Sequence, residues 1–98
     1  MAIFNLSVYE QDIRAFCRRY YIQKLALFGS ILRDDFNDNS DIDVLVEFHP
    51  EHIPGWEIVS ITDELTAILG RPVDLRTVNE LSNTFRDDVV QKAVIIYE

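Results

Sequence analysis

The chain predicts an α/β or α+β domain, a small sheet with helices packed against it. Three observations carry this reading. Apolar residues recur at three- and four-residue steps in separate stretches, the mark of amphipathic helices. Short runs of large or β-branched residues lie between them and end at Gly, Pro or Asp. The two kinds of stretch alternate along the 98 residues, an order that lays helices on a sheet.

Taken in order, Ser7-Val8-Tyr9-Glu10 has the form of a capping box, a hydroxyl followed three residues later by Glu. It predicts a helix from Val8, with Val8, Ile13, Phe16, Cys17 and Tyr20 on its apolar face. A strand follows over Ile22–Phe28, rich in large apolar residues and ended by Gly29. Residues 31–33 form a short helical turn, and residues 34–40, with three Asp and two Asn, form a loop. The second strand covers residues 41–48. Ile42, Val44, Val46 and Phe48 share one face, while Leu45 joins Asp41 and Asp43 on the other. Apolar residues on both faces beyond Asp43 predict a central strand covered on both sides.

Residues 49–55 are rich in breakers. Two histidines flank Glu51 here, but their spacing fits no familiar ligand motif, and Pro50 and Pro54 suit a plain connection. Residues 56–69 predict a helix that buries Ile58, Ile61, Leu65, Ile68 and Leu69. Gly70 caps it and Pro72 prevents its continuation. Val73-Asp74-Leu75 is a short strand in which Asp74 interrupts an apolar run. From Asn79 onward the pattern is mostly helical, through Phe85, Val89, Ala93 and Ile96. The element order then ends on a helix, although Val94 to Tyr97 could instead be extended, because β-branched residues dominate there. Strand order and direction stay open.

Length and composition narrow the class. Ninety-eight residues suit one domain, spanning 1–98. An apolar share of 48% is ordinary for a globular chain. No apolar run approaches the roughly 18–20 residues that span a membrane, and the first residues lack the pattern of a signal peptide, so the expected location is the cytoplasm. The single cysteine, Cys17, lies in a helical pattern and is expected in the core. A net charge of −8, from nine basic against seventeen acidic residues, disfavours a nucleic-acid template and suits a basic protein partner. Arg14, Arg18, Arg19 and Lys24 cluster near the first helix, where a solvated face explains them at least as well as a phosphate patch.

The stretch from Leu27 to Val46 carries the chemistry. Asp is depleted in strands, yet the second strand opens on two, and side chains at i and i+2 share a face. Two like charges there repel unless something positive lies between them, and a divalent cation is the economical partner. Hard carboxylate oxygens suit Mg²⁺, which prefers one or two carboxylates plus substrate phosphates. Gly29 lets a ligand approach the backbone, and the Ser30 hydroxyl and nearby amides suit an anion. Asp74 is a third carboxylate at a strand position, open either to joining the first two or to being a turn residue. Three aspartates and a phosphate cradle are the parts of two-metal phosphoryl or nucleotidyl transfer.

Gly29-Ser30, ten residues, then Asp41-x-Asp43 resembles the signature of the DNA polymerase β-like nucleotidyltransferase superfamily. The fuller runs, Leu27-Phe28-Gly29-Ser30-Ile31-Leu32-Arg33 and Ser40 through Phe48, are similar to its minimal nucleotidyltransferase (MNT) branch. Gly70-Arg71-Pro72-Val73-Asp74-Leu75 resembles the segment with the third carboxylate, and Ala93 through Glu98 also fits. One departure is Asp34, where the family commonly has Gly. The resemblance implies an α+β fold with a small mixed sheet flanked by helices. It implies that Asp41 and Asp43 bind two Mg²⁺ ions, and that Asp74 ligates the catalytic one and helps deprotonate an attacking hydroxyl. Ser30 and the Gly29 backbone would hold the β- and γ-phosphates of ATP. Arg33 is left open between a phosphate contact and a structural pairing.

A stand-alone MNT chain of this size also resembles the antitoxin half of bacterial and archaeal HEPN/MNT toxin–antitoxin pairs. That likeness implies transfer of AMP from ATP to a tyrosine of a HEPN ribonuclease, with a homodimer or hetero-oligomer compatible with so short a domain. Two alternatives stand beside it: an antitoxin that neutralises its partner by binding alone, and nucleotidyl transfer to a small-molecule hydroxyl.

Overall fold

The computed structural model describes residues 6–33, 37, 39–84 and 86–98. Three helices, α1 (Glu10–Arg19), α2 (Glu57–Leu69) and α3 (Arg86–Lys92), pack around four strands, β1 (Ile22–Phe28), β2 (Ile42–Phe48), β3 (Val73–Arg76) and β4 (Val94–Tyr97). The strands form one sheet in the order β3-β2-β1-β4. β1 pairs antiparallel with β2 and with β4, whereas β2 and β3 run parallel. The parallel pair follows from its connection, since α2 carries the chain back along the sheet between them. The result is the small mixed α+β sheet that the family resemblance implies, with β2 inside it between β3 and β1.

The main core lies between one sheet face and the helices α1 and α2. Phe16, Cys17, Leu25, Ile42, Val44 and Leu65 are all sealed from solvent there. A register shift between Ile22 and Lys24 explains how Ile22 reaches the face of Leu25 and Leu27 despite its even number. Such a bulge adds one residue and restores the alternation on the other side. The opposite face carries a smaller cluster, Ala26, Leu45 and Leu81, flanked by Phe28, Val78, Val89 and Ala93. Both faces of β2 are therefore covered, as its sequence predicts.

Three local expectations need correction. The first helix starts at Glu10 rather than Val8, after a 3-10 turn over Leu6–Tyr9, and Val8 is solvent-exposed. Ser7 is thus three residues short of the helix start, too early to cap it. The C-terminal segment is not helical throughout: α3 stops at Lys92, and Val94–Tyr97 is the strand β4, favoured by its β-branched residues. The strand around Asp41 begins one residue later, at Ile42. Asp34 and Phe85 lie outside the described residues.

Other punctuation matches. Gly70 ends α2 at φ +71 and its N–H reaches the Thr66 carbonyl at 2.8 Å, the left-handed cap. The histidine loop is a 3-10 turn over Pro50–His52, with the His52 ring stacked on Tyr21 at 3.7 Å. Among the described residues, no helix is long and apolar enough to cross a membrane.

Candidate functional site

β1 delivers the chain to Gly29, where φ turns to +74 and a 3-10 turn, Gly29–Leu32, begins. The partner of Phe28 across the sheet is Asp43, so the turn and the carboxylate meet where β1 ends and β2 starts. They meet closely: a Cβ built on Gly29 would lie 2.2 Å from Asp43 Oδ2. The Ser30 backbone N–H donates to the Asp43 carboxylate. The Ser30 hydroxyl lies 3.5 Å from the carbonyl oxygen of Asp41. Gly29 is required here on two grounds, the left-handed backbone and the occupied space.

On the other side, Asp74 of β3 is the direct partner of Asp43 in the parallel pair. Paired residues of adjacent strands project to the same face, here the face of Leu45 and the smaller cluster. Asp43 consequently ionises less readily than an ordinary carboxylate. Partial burial is the main cause, followed by the Asp74 charge; the Ser30 amide opposes both, Asp41 adds a smaller repulsion, and Arg33 offsets some of it. Arg33 stands at the exposed end of the turn, its N–H on the Ser30 carbonyl at 2.9 Å, and its charge is felt at Asp43. Asp41 is exposed immediately before β2.

Two residues of the site were not singled out in the sequence. Arg71 donates to the carbonyl of Ser40 at 2.9 Å and also to that of Asn37, while the Ile42 N–H donates to the Pro72 carbonyl at 2.9 Å. The segment between α2 and β3 thereby fixes the loop that ends in Asp41. Arg76 donates through Nε to Asp74 Oδ1 at 2.9 Å and through Nη2 to Oδ2 at 3.4 Å. The signal for Arg76 was present as its i+2 spacing from Asp74, which puts both on one strand face.

The structure thus brings Asp43, Asp74, Gly29 and Ser30 together and sets Asp41 and Arg33 at the margin. Among the described residues, no three His, Cys, Asp or Glu side chains converge closely enough to hold a metal by themselves. Unscreened carboxylates repel, and the Asp74 carboxylate pairs with Arg76 on the face it shares with Asp43. The donor set still fits a hard divalent cation, since its oxygens are carboxylate and the repulsion felt at Asp43 is what a cation offsets.

A mixed sheet whose central strand opens on Asp-x-Asp against a Gly-Ser turn defines the nucleotidyltransferase class. The chain belongs to the polymerase β nucleotidyltransferase family, whose model matches residues 11–98. Among its relatives is a Methanocaldococcus jannaschii protein provisionally named protein adenylyltransferase MJ0435, 30% identical over 92% of this chain and 96% of its own. Another, protein adenylyltransferase MntA of Thermococcus cleftensis, is 28% identical over 93% of this chain and 88% of its own. The fold overlays a solved minimal nucleotidyltransferase with TM-score 0.74 and 25% identity, covering 91% of this chain and 90% of that one. It also overlays a chain from the complex of tri-AMPylated Shewanella oneidensis HEPN toxin with MNT antitoxin. That match has TM-score 0.66 and 22% identity, over 95% of this chain and 72% of that one.

Proposed function

We propose that this chain is a Mg²⁺-dependent protein adenylyltransferase, an antitoxin that moves AMP from ATP to a tyrosine of a HEPN ribonuclease. The observation that carries the reading is the register of Asp43 with Asp74 beside the Gly29–Ser30 turn. Family membership supports the reaction class, and the names of the relatives support a protein acceptor. The partner is taken from the HEPN toxin of the complex whose chain this fold overlays, where the likeness itself is one of fold.

In this reading Asp41, Asp43 and Asp74 hold two Mg²⁺ ions, which would neutralise the triphosphate and make the acceptor hydroxyl more acidic. Ser30 and the Gly29 backbone take the β- and γ-phosphates, with Arg33 at the rim. The tyrosine oxygen bonds to the α-phosphorus as the bond to the bridging oxygen breaks and pyrophosphate leaves. In the same reading Asp74 receives the hydroxyl proton. In-line positioning supplies much of the acceleration in such transfers.

Incubation of the chain with Mg²⁺, ATP labelled at the α-phosphate and the HEPN protein that this reading pairs with it tests this. Label is expected on a tyrosine of the partner and is lost with Asp41→Asn or Asp43→Asn. An unlabelled partner, with the wild-type chain folded, overturns it. The alternative to transfer is neutralisation of the partner by binding alone. Under that reading the Asp41→Asn, Asp43→Asn double variant still silences the toxin at normal levels.

A further inference from the structure

We propose that Arg76 is the positioning residue of the third carboxylate: its guanidinium fixes Asp74 on the face of the sheet that carries Asp43. This rests on the carboxylate-site reading above. The contact is a fork, Nε on Oδ1 at 2.9 Å and Nη2 on Oδ2 at 3.4 Å. Such an arrangement sets the plane of a carboxylate, where a lysine would supply only a point charge. A carboxylate has about four lone-pair sites, so the fork leaves further acceptor sites on both oxygens.

The guanidinium is itself held from behind. Its Nη1 lies 4.0 Å from Glu80 Oε2, and the other oxygen of Glu80 accepts from the Thr77 N–H at 3.0 Å and the Thr77 hydroxyl at 3.1 Å. That capping box opens the 3-10 turn Val78–Glu80, the first element after β3. A relay thus runs from a backbone turn through Glu80 and Arg76 to Asp74. Stability does not account for it. The Arg76 and Asp74 side chains are 47% and 42% exposed, and solvent-exposed ion pairs add little to folding. Opposing it is the Asp43 charge directly across the pair. Without Arg76, like-charge repulsion swings Asp74 away from its neighbour.

The test uses Mn²⁺ as a probe on the chain alone, titrated by calorimetry or by loss of its free paramagnetic signal. Arg76→Met is expected to weaken Mn²⁺ binding about tenfold, the usual scale for a residue that orients a ligand. Turnover falls in parallel while the KM for ATP stays within about twofold, because a positioning residue does not itself hold substrate. Arg76→Lys keeps the charge, loses the fork and recovers only part of the binding; being closer in size, it also serves if the Met variant folds poorly. Unchanged or tighter Mn²⁺ binding in Arg76→Met overturns the proposal, as does full recovery by Arg76→Lys. Asp43→Asn and Asp74→Asn separate the two readings. If both lower Mn²⁺ affinity and Arg76→Met does not, this inference alone falls. If neither does, the carboxylate site falls and takes it along.

Discussion

Gly29 and Asp43 share one pocket of space: a methyl group on the first would overlap Oδ2 of the second at 2.2 Å. Gly29 of the Gly-Ser turn and Asp43 of the Asp-x-Asp pair, fourteen positions apart, are therefore one unit. The glycine makes room for the carboxylate, and the next amide, Ser30 N–H, receives it. This gives the spacing a physical reason, because antiparallel pairing of Phe28 with Asp43 sets the length of chain between them.

Gly29→Ala and Gly70→Ala separate conformation from crowding. Both glycines have positive φ, +74 and +71, but nothing lies within 4 Å of a Cβ at Gly70. Each substitution costs about 1–2 kcal/mol for the left-handed backbone, read by urea denaturation. Only Gly29→Ala also displaces Asp43, and it is expected to lower AMP transfer on the order of 100-fold, the scale for a misplacement of about 1 Å. Equal turnover in the two variants would mean that Asp43 moves without consequence.

Asp43→Asn is expected to stabilise the chain at neutral pH in the absence of divalent cations. Burial and the Asp74 charge raise the Asp43 pKa above the ordinary 3.8. With a folded-state value above the unfolded one, the protonated form favours folding. That contribution is full below the unfolded pKa and lost as pH rises through the folded one. At neutral pH the ionised Asp43 thus opposes folding, and Asn removes the opposition. The melting midpoint of Asp43→Asn should exceed the wild type at pH 7, with the gap closing as pH drops below about 4, near the carboxylate range. A lower midpoint at pH 7 with an unchanged pH profile would sink the electrostatic account.

The core and the chemical motif were legible because each is written locally. β1 is bounded by a run of large apolar residues and Gly29, and α2 by Gly70 and Pro72, so their limits follow from backbone preference. Asp43 stands out because a carboxylate has no packing reason to open a buried strand. What stayed hidden depends on distant partners. The β-branched run Val94–Tyr97 becomes a strand because the free edge of β1 accepts it, and the order β3-β2-β1-β4 is a property of pairing that no window of sequence contains. Arg71 and Arg76 carry no local mark beyond the i+2 spacing of Arg76 from Asp74. Their roles come from carbonyls some thirty residues away and from a carboxylate whose importance depends on the site.

Cys17 should behave as a core side chain in chemistry as well as position. It is sealed from solvent, and burial pushes its thiol up to about 12. The thiolate is the reactive form, so the native chain at pH 8 is expected to leave a disulfide reagent such as Ellman's unreacted over the time in which the unfolded chain releases one full equivalent. Rapid native labelling would place Cys17 at a surface instead.

Arg71 offers the sharpest separation of local order from global stability. It joins the start of β3 to the loop before β2, donating to the carbonyls of Ser40 and Asn37. Its removal leaves those carbonyls without that donor at the end that carries Asp41. Hydrogen bonds from a charged donor contribute roughly 1.5–3 kcal/mol when buried, and this half-buried one should contribute about 1 kcal/mol. Arg71→Met is therefore expected to lower the melting midpoint by about 4–8 °C, the shift that 1 kcal/mol makes in a domain of this size. AMP transfer should fall further than that loss explains, about tenfold or more, since Asp41 loses its fixed approach while the Asp43–Asp74 register survives. Hydrogen exchange should speed up at residues 39–41 and stay slow in β1. Faster exchange throughout the sheet would show that Arg71 holds the fold rather than the loop.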